Sequence, residues 1–128
     1  MPKKAIVAPK AKAIGPYSMA IETGDLVFLS GQTPLDPATG KLAEGDIATQ
    51  ARQCLENLKE VLTAAGLTFG HVVKANIFLT SMGDFAAVNE VYKSYFSEPY
   101  PARSTIAVAA LPMGAKVEIE MIASRSAQ

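Results

Sequence analysis

Lys116-Val117-Glu118-Ile119-Glu120-Met121-Ile122-Ala123-Ser124 alternates with a period of two. That is the period of a strand, whose successive side chains point to opposite faces of a sheet. Val117, Ile119, Met121 and Ala123 form an inward face, while Glu118, Glu120 and Ile122 share the other. A second apolar run, 103–111, also begins with a charge. Arg103, Thr105, Ala107 and Ala109 fall on one of its faces and Ile106 and Val108 on the other. The small residues on the arginine's face leave room for something to approach it.

Upstream, residues 3–7 read as a short edge strand. Gly15-Pro16 marks a turn, a strand runs from Ser18 to Thr23, and Gly24-Asp25 turns it into a second strand, Leu26 to Ser30. Residues 34–40 are rich in turn formers. Asp46 is placed to N-cap a helix whose apolar stripe is Ile47, Ala51, Cys54, Leu55, Leu58, Leu62 and Ala65, with Gly66 just past its end. His71 to Thr80 reads as a strand with Val73, Ala75, Ile77 and Leu79 on one face. A second helix starts at 81–84 and packs through Phe85, Val88, Tyr92 and Tyr95 or Phe96. Glu98-Pro99-Tyr100-Pro101 ends it. Strands joined through helices favour parallel pairing, and the closing strand can return antiparallel. The expected fold is α+β: a mixed sheet with two helices packed on one face. The uncovered face needs a partner.

The chain of 128 residues fits one domain, 1–128. No apolar run is long enough to span a membrane. A mean hydropathy of +0.19 with 19% charged residues leaves surplus apolar surface for another subunit. Twelve basic and twelve acidic side chains cancel, which argues against a bulk nucleic-acid binder. Lys3, Lys4, Lys10 and Lys12 make the start of the chain basic, but no apolar stretch of a secretory signal follows, so a cytoplasmic location is expected. One cysteine, Cys54, forms no intrachain disulfide, and with one histidine, His71, it cannot build a common zinc site. Cys54 reads as a buried, inert thiol and His71 as a surface or edge histidine.

Two side chains carry candidate chemistry. Arg103 can grip a carboxylate through two parallel hydrogen bonds or pair with an acid of its own chain. Glu118 can position water or relay a proton, or it can sit on a solvated strand face, the reading preferred for Glu120. Tyr17 and Ser30 offer hydroxyls. Gly31 marks either a positive φ or a close approach to its backbone. Composition alone supports only a small anionic ligand.

Ile14-Gly15-Pro16-Tyr17, Ser30-Gly31-Gln32, Asp84-Phe85 with Asn89, Pro101-Ala102-Arg103-Ser104 and Val117-Glu118-Ile119-Glu120 stand in an order and spacing that resembles the Rid/YjgF family, the reactive-intermediate deaminases. The resemblance spans nearly the whole chain. It implies a chorismate-mutase-like homotrimer whose sheets line the interior and whose sites lie between subunits. By that resemblance the substrates are 2-aminoacrylate and related enamines or imines, the products 2-keto acids and ammonia, and neither metal nor cofactor is needed. Arg103 would anchor the substrate carboxylate and Glu118 would orient the attacking water. Tyr17, Ser30, Gly31, Phe85 and Asn89 would line the pocket. Thr105 replaces a cysteine common in bacterial relatives and would offer a hydroxyl. Thr33 stands where many members carry an aliphatic residue.

The family's topology places the last strand between the first core strand and the middle one. It also implies that Arg103 and Glu118 of one chain lie at opposite sheet ends, five or more residues apart, or roughly 15 Å. Arg103 and Thr105 are then expected to face Ser30, Gly31, Phe85, Asn89 and Glu118 of a neighbour. Two other readings stay open: a non-catalytic binder of small carboxylates, which could dispense with Glu118, and a ribonuclease or translation inhibitor, which zero net charge and a lone histidine disfavour.

Overall fold

The computed structural model describes residues 2–10 and 13–127; Lys12 of the basic segment lies outside them. Strands β1 (Lys4–Ile6), β2 (Ala20–Thr23) and β3 (Leu26–Gln32) form an antiparallel meander. The turn-rich stretch after them folds into a small hairpin of β4 (Leu35–Asp36) and β5 (Lys41–Leu42). Helix α1 (Ile47–Ala64), strand β6 (Val72–Leu79), helix α2 (Phe85–Lys93), β7 (Ala102–Ala107) and β8 (Val117–Ser124) complete the order. The main sheet runs β1-β2-β3-β8-β6-β7. β8 is antiparallel to β3 and β6, and β6 is parallel to β7 across α2. This is a mixed sheet with two helices, and the inserted last strand matches expectation.

The caps of α1 are as the sequence implies. The Asp46 carboxylate accepts the Thr49 N–H at 2.9 Å. At the far end Gly66 has φ 77°, and the N–H groups of Gly66 and Leu67 return to the carbonyls of Thr63 and Leu62. That left-handed C′ closure needs glycine to avoid a Cβ clash. Ala51, Cys54, Leu55, Leu58, Val61 and Leu62 bury the stripe against Val117, Ile119, Met121 and Ala123 of β8. Burial pushes the Cys54 thiol far above its ordinary range, with the Glu118 charge adding to it.

Several boundaries and faces differ from expectation. Val72, not Val73, turns inward, because β6 carries an irregularity between Val72 and Lys74 opposite β8; Val73 is 39% exposed. α2 ends at Lys93 rather than at the proline segment, and the Ser94 hydroxyl donates to the Val91 carbonyl at 2.6 Å. Tyr95 and Phe96 lie past the helix and pack edge-on against Phe69. Phe85 is 37% exposed and stands outside the core, while Val91 is buried. β7 stops at Ala107 instead of running to Leu111, since β6 ends at Leu79 and the Val108 N–H takes its last carbonyl at 2.7 Å.

The face of the sheet away from the helices stays uncovered. Phe28, Ile106 and Leu26 are among its exposed apolar residues. Asn76 donates there to Glu120 at 3.4 Å, which ties both side chains to the sheet. Among the described residues, no helix is long and apolar enough to cross a membrane.

Candidate functional site

Strand register decides where the candidate residues point. Arg103 pairs with Ala75, which pairs with Met121, and the latter two are buried under the helices. Paired residues share a face, so Arg103 stands on the helix side of the sheet. Glu118 pairs with Phe78, three positions further along β6, and odd spacing turns it to the uncovered side. The two charges of one chain therefore sit on opposite faces. Their offset along the strands is three residues, not five or more. With two strand spacings between them, their backbones stand roughly 14 Å apart.

Arg103 is held from one side by α2. Its Nη1 donates to Asn89 Oδ1 at 2.8 Å, and its guanidinium carbon lies 4.9 Å from the Tyr92 ring centre and 5.8 Å from that of Phe85. Phe85 and Asn89 thus stand beside Arg103 of their own chain, correcting their placement across a subunit boundary. The reason is the crossover: α2 joins the parallel strands β6 and β7 and lies on the face that Arg103 shares. A cavity of about 350 Å³ opens beside this group, lined by Asn89, Tyr92, Lys93, Tyr100, Pro101 and Arg103. Thr105 is on the same side, paired with Ile77, and its Oγ1 is buried without a hydrogen-bond partner.

A second arginine shows what an internally paired one looks like here. Arg125 forms an ion pair with Glu22 and donates to the Ala65 carbonyl at 2.8 Å. Among the described residues no carboxylate stands in ion-pair reach of Arg103. Its hydrogen-bond and ring partners, Asn89, Phe85 and Tyr92, are neutral.

On the uncovered face, Glu118 lies against Gly31. A Cβ on Gly31 would come within 2.3 Å of Glu118 Oε2. Gly31 does not have a positive φ, so close approach, not backbone strain, explains the glycine. It falls in a bulge, where Ser30 and Gly31 sit between the pairs Leu29–Met121 and Gln32–Ile119. The Ser30 hydroxyl donates to the Ser18 carbonyl at 2.5 Å, and the Ser30 N–H to Met19 at 2.9 Å. These bonds fasten the loop that carries Tyr17, whose ring is exposed. Burial, then repulsion from Glu120, holds the Glu118 carboxyl above the usual glutamate range.

The candidate residues thus form two clusters. Arg103, Asn89, Phe85 and Thr105 belong to one, Glu118, Gly31 and Ser30 to the other. The sequence pattern marks Tyr92 as a packing residue only; its 85/89/92 spacing, which puts three side chains on one helical stripe, is the available signal. The larger cavity, about 590 Å³, contains none of the candidates and is lined mainly by residues such as Met19, Leu35 and Pro37. His71 is engaged locally, its Nδ1 accepting the Thr68 N–H at 3.1 Å. Among the described residues, no cluster of His, Cys, Asp and Glu could hold a metal ion.

Residues 6–125 match the family described as endoribonuclease L-PSP. The chain belongs to that family, the Rid/YjgF family. Among Rid/YjgF relatives, Protein DfrA of Myxococcus xanthus is 57% identical over 126 residues, covering 96% of each chain. The 2-iminobutanoate/2-iminopropanoate deaminase of Mus musculus is 49% identical over 94% of this chain and 90% of its own. The crystal structure of Escherichia coli TdcF with bound serine superposes with a TM-score of 0.90 at 47% identity, covering 96% of this chain and 99% of that one. The mixed sheet with two helices is therefore the Rid fold. The relatives of Mus musculus and Bos taurus both carry the name 2-iminobutanoate/2-iminopropanoate deaminase.

Proposed function

We propose that this protein is a cofactor-free hydrolytic deaminase of 2-imino acids, working as a homotrimer with sites between subunits. The observation that carries the reading is Arg103: a guanidinium fixed by a neutral amide and two aromatic rings, facing a cavity, with no carboxylate among the described residues in ion-pair reach. Such a group is ready for a ligand carboxylate. The names of its deaminase relatives point to the same substrate class.

The chemistry follows. 2-Aminoacrylate tautomerises to 2-iminopropanoate, whose C2=N carbon is electrophilic. Arg103 binds the carboxylate and fixes the orientation of C2. Glu118, held beside Gly31, orients a water that adds to C2. The C–O bond forms as the C=N π pair moves to nitrogen. Protonation of that nitrogen lets ammonia leave, and the hydroxyl proton departs as the carbonyl of pyruvate forms. Positioning two reactants in this way can lower a barrier by several kcal/mol.

Arg103 and Glu118 of one chain occupy opposite faces, so the reading assigns them to different subunits. The uncovered face, with Phe28 and Ile106 exposed at 41% and 49%, is the surface assigned to the trimer interior. Arg103, Asn89, Phe85 and Thr105 of one subunit would then meet Glu118, Gly31, Ser30 and Tyr17 of the next. A nucleic-acid substrate is disfavoured by zero net charge and by a single histidine that is engaged in a local cap.

The test generates 2-aminoacrylate with a dehydratase and follows decay of the imine with and without the protein. Acceleration that Arg103→Ala abolishes is expected; no acceleration, or acceleration that survives the substitution, removes the enzymatic reading. Mixing Arg103→Ala chains with Glu118→Ala chains should restore part of the activity that neither has alone. A mixture as inactive as its components would place the whole site in one chain.

A further inference from the structure

Phe85, Asn89 and Tyr92 line one stripe of α2, spaced by four and three residues, and the stripe ends on Arg103. The three contribute differently. Asn89 accepts one N–H of the guanidinium at 2.8 Å and so fixes one edge of the fork. Phe85 is more distant, at 5.8 Å, and partly exposed. Tyr92 is the nearest ring, at 4.9 Å, and only 4% exposed.

The Tyr92 ring is itself fixed. It stacks on Phe96 with centroids 4.5 Å apart and planes inclined by 30°. Phe96 and Arg103 thus both lie against the phenol ring. The series Phe96, Tyr92, Arg103 runs from the edge of the core to the cavity wall. Packing alone would be served by any apolar side chain of similar volume, but only an aromatic face attracts a cation. The Tyr92 hydroxyl is buried and has no partner, so hydrogen bonding does not explain the residue.

We infer that Tyr92 is a positioning residue for Arg103, its ring a clamped platform that holds the guanidinium fork toward the cavity where a ligand carboxylate binds. The carboxylate's role rests on the deaminase reading above; the platform itself does not. Arg103 on this platform meets no acid of its own chain among the described residues, and the side of the guanidinium away from Asn89 is left for an anion. Without the ring the long side chain regains rotamer freedom, and each binding event must order it again. The loss then falls on binding, equally in ground and transition states, and raises KM more than it lowers kcat.

The test uses Tyr92→Phe, which keeps the ring and removes the orphan hydroxyl, and Tyr92→Met, which keeps an apolar side chain and removes the ring face. The first readout is the NMR signal of the Arg103 Nε–H, which a ring stacked on the guanidinium displaces by its ring current. The displacement is expected in the wild-type protein and in Tyr92→Phe and lost in Tyr92→Met. The second is KM for the imine and Kd for pyruvate as a simple carboxylate probe. Tyr92→Phe should leave both close to wild type, and Tyr92→Met should raise both by roughly 3- to 30-fold with little change in kcat.

An undisplaced Arg103 signal in the wild-type protein overturns the inference and needs no variant to fold. So does a Tyr92→Phe protein that loses as much as Tyr92→Met, since the hydroxyl would then be the acting group. If the wild-type protein neither hydrolyses the imine nor binds pyruvate, the deaminase reading fails, while the Arg103 signal still decides for or against the platform.

Discussion

Arg103 is gripped by three side chains of α2, whereas Glu118 leans on a glycine and a second acid. Both are charges set in strands of the same sheet, but their surroundings act in opposite directions. Around Arg103 the partners are neutral and geometric: an amide oxygen at 2.8 Å and two ring faces. They fix where the charge is without cancelling it. Around Glu118 the surroundings act on the charge itself, since burial and Glu120 both favour its protonated form. One face of the sheet offers a rigid, permanent cation, and the other offers a carboxyl whose ionisation is adjustable. A reaction that must hold a carboxylate and handle a water has use for that asymmetry.

The harshest way to break the comparison is to remove the fixed cation. Arg103→Ala should lower kcat/KM for the imine on the order of 100-fold or more, since two charge-assisted hydrogen bonds are lost. Arg103→Lys should fall between, keeping the charge and losing the fork. Steady-state kinetics on both variants decides it, and equal activity of Lys and Arg enzymes would mean that charge alone matters.

A smaller effect is expected on the other face. Gly31→Ala would put a Cβ within 2.3 Å of Glu118 Oε2 and 2.9 Å of its Cδ. The obstructed atoms belong to the end of a flexible side chain, so the fold should survive while the carboxyl swings away. The expected result is a fall in kcat of roughly 10- to 100-fold, as displacement by about an ångström can cause. Pyruvate affinity, which belongs to the Arg103 cluster, should be unchanged. Weakened pyruvate binding would show that the two clusters are not separable in this way.

The sequence made some of this legible for plain physical reasons. Strict alternation at 117–123 and the helical stripe behind Asp46 each specify one buried face, and both were seen there. Parity alone separates Arg103 from Glu118 once the register is known, but register between β6, β7 and β8 is a long-range property that no local pattern reports. Local patterns also misassigned Val73, because a one-residue irregularity flips parity without any sequence mark. Phe85 and Tyr92 illustrate the remaining limit. Aromatic residues at helical spacing look like core, and whether they meet aliphatic side chains or a guanidinium depends on what the next strand brings beneath them. Gly31 was ambiguous between strain and approach until the Glu118 side chain was seen against it.

Stability gives a milder test of the same contrast. The Glu118 carboxyl titrates above its ordinary value of 4.5 in the folded protein. The folded state therefore binds its proton more tightly than the unfolded chain, and stability falls as pH rises through that interval. Glu118→Gln removes the penalty. Thermal unfolding should show the variant more stable than wild type at pH 7. That advantage should shrink as pH falls toward and below 4.5, where the wild-type carboxyl is neutral too. A variant less stable than wild type at pH 7 would mean that the ionised Glu118 makes a favourable contact.

The smallest expected effect isolates Glu120. It is the second cause of the raised Glu118 value, after burial, and it accepts a hydrogen bond from Asn76 Nδ2 through Oε1. Glu120→Gln keeps an oxygen in that place, so the bond and the sheet should be preserved while the like charge disappears. If ionised Glu118 holds the water, the acidic limb of the kcat/KM profile reports its titration. The limb should then move to lower pH in Glu120→Gln, with the plateau at higher pH unaltered. A limb that stays in place would assign the titration to another group, and a lowered plateau would give Glu120 a part in the chemistry beyond its charge.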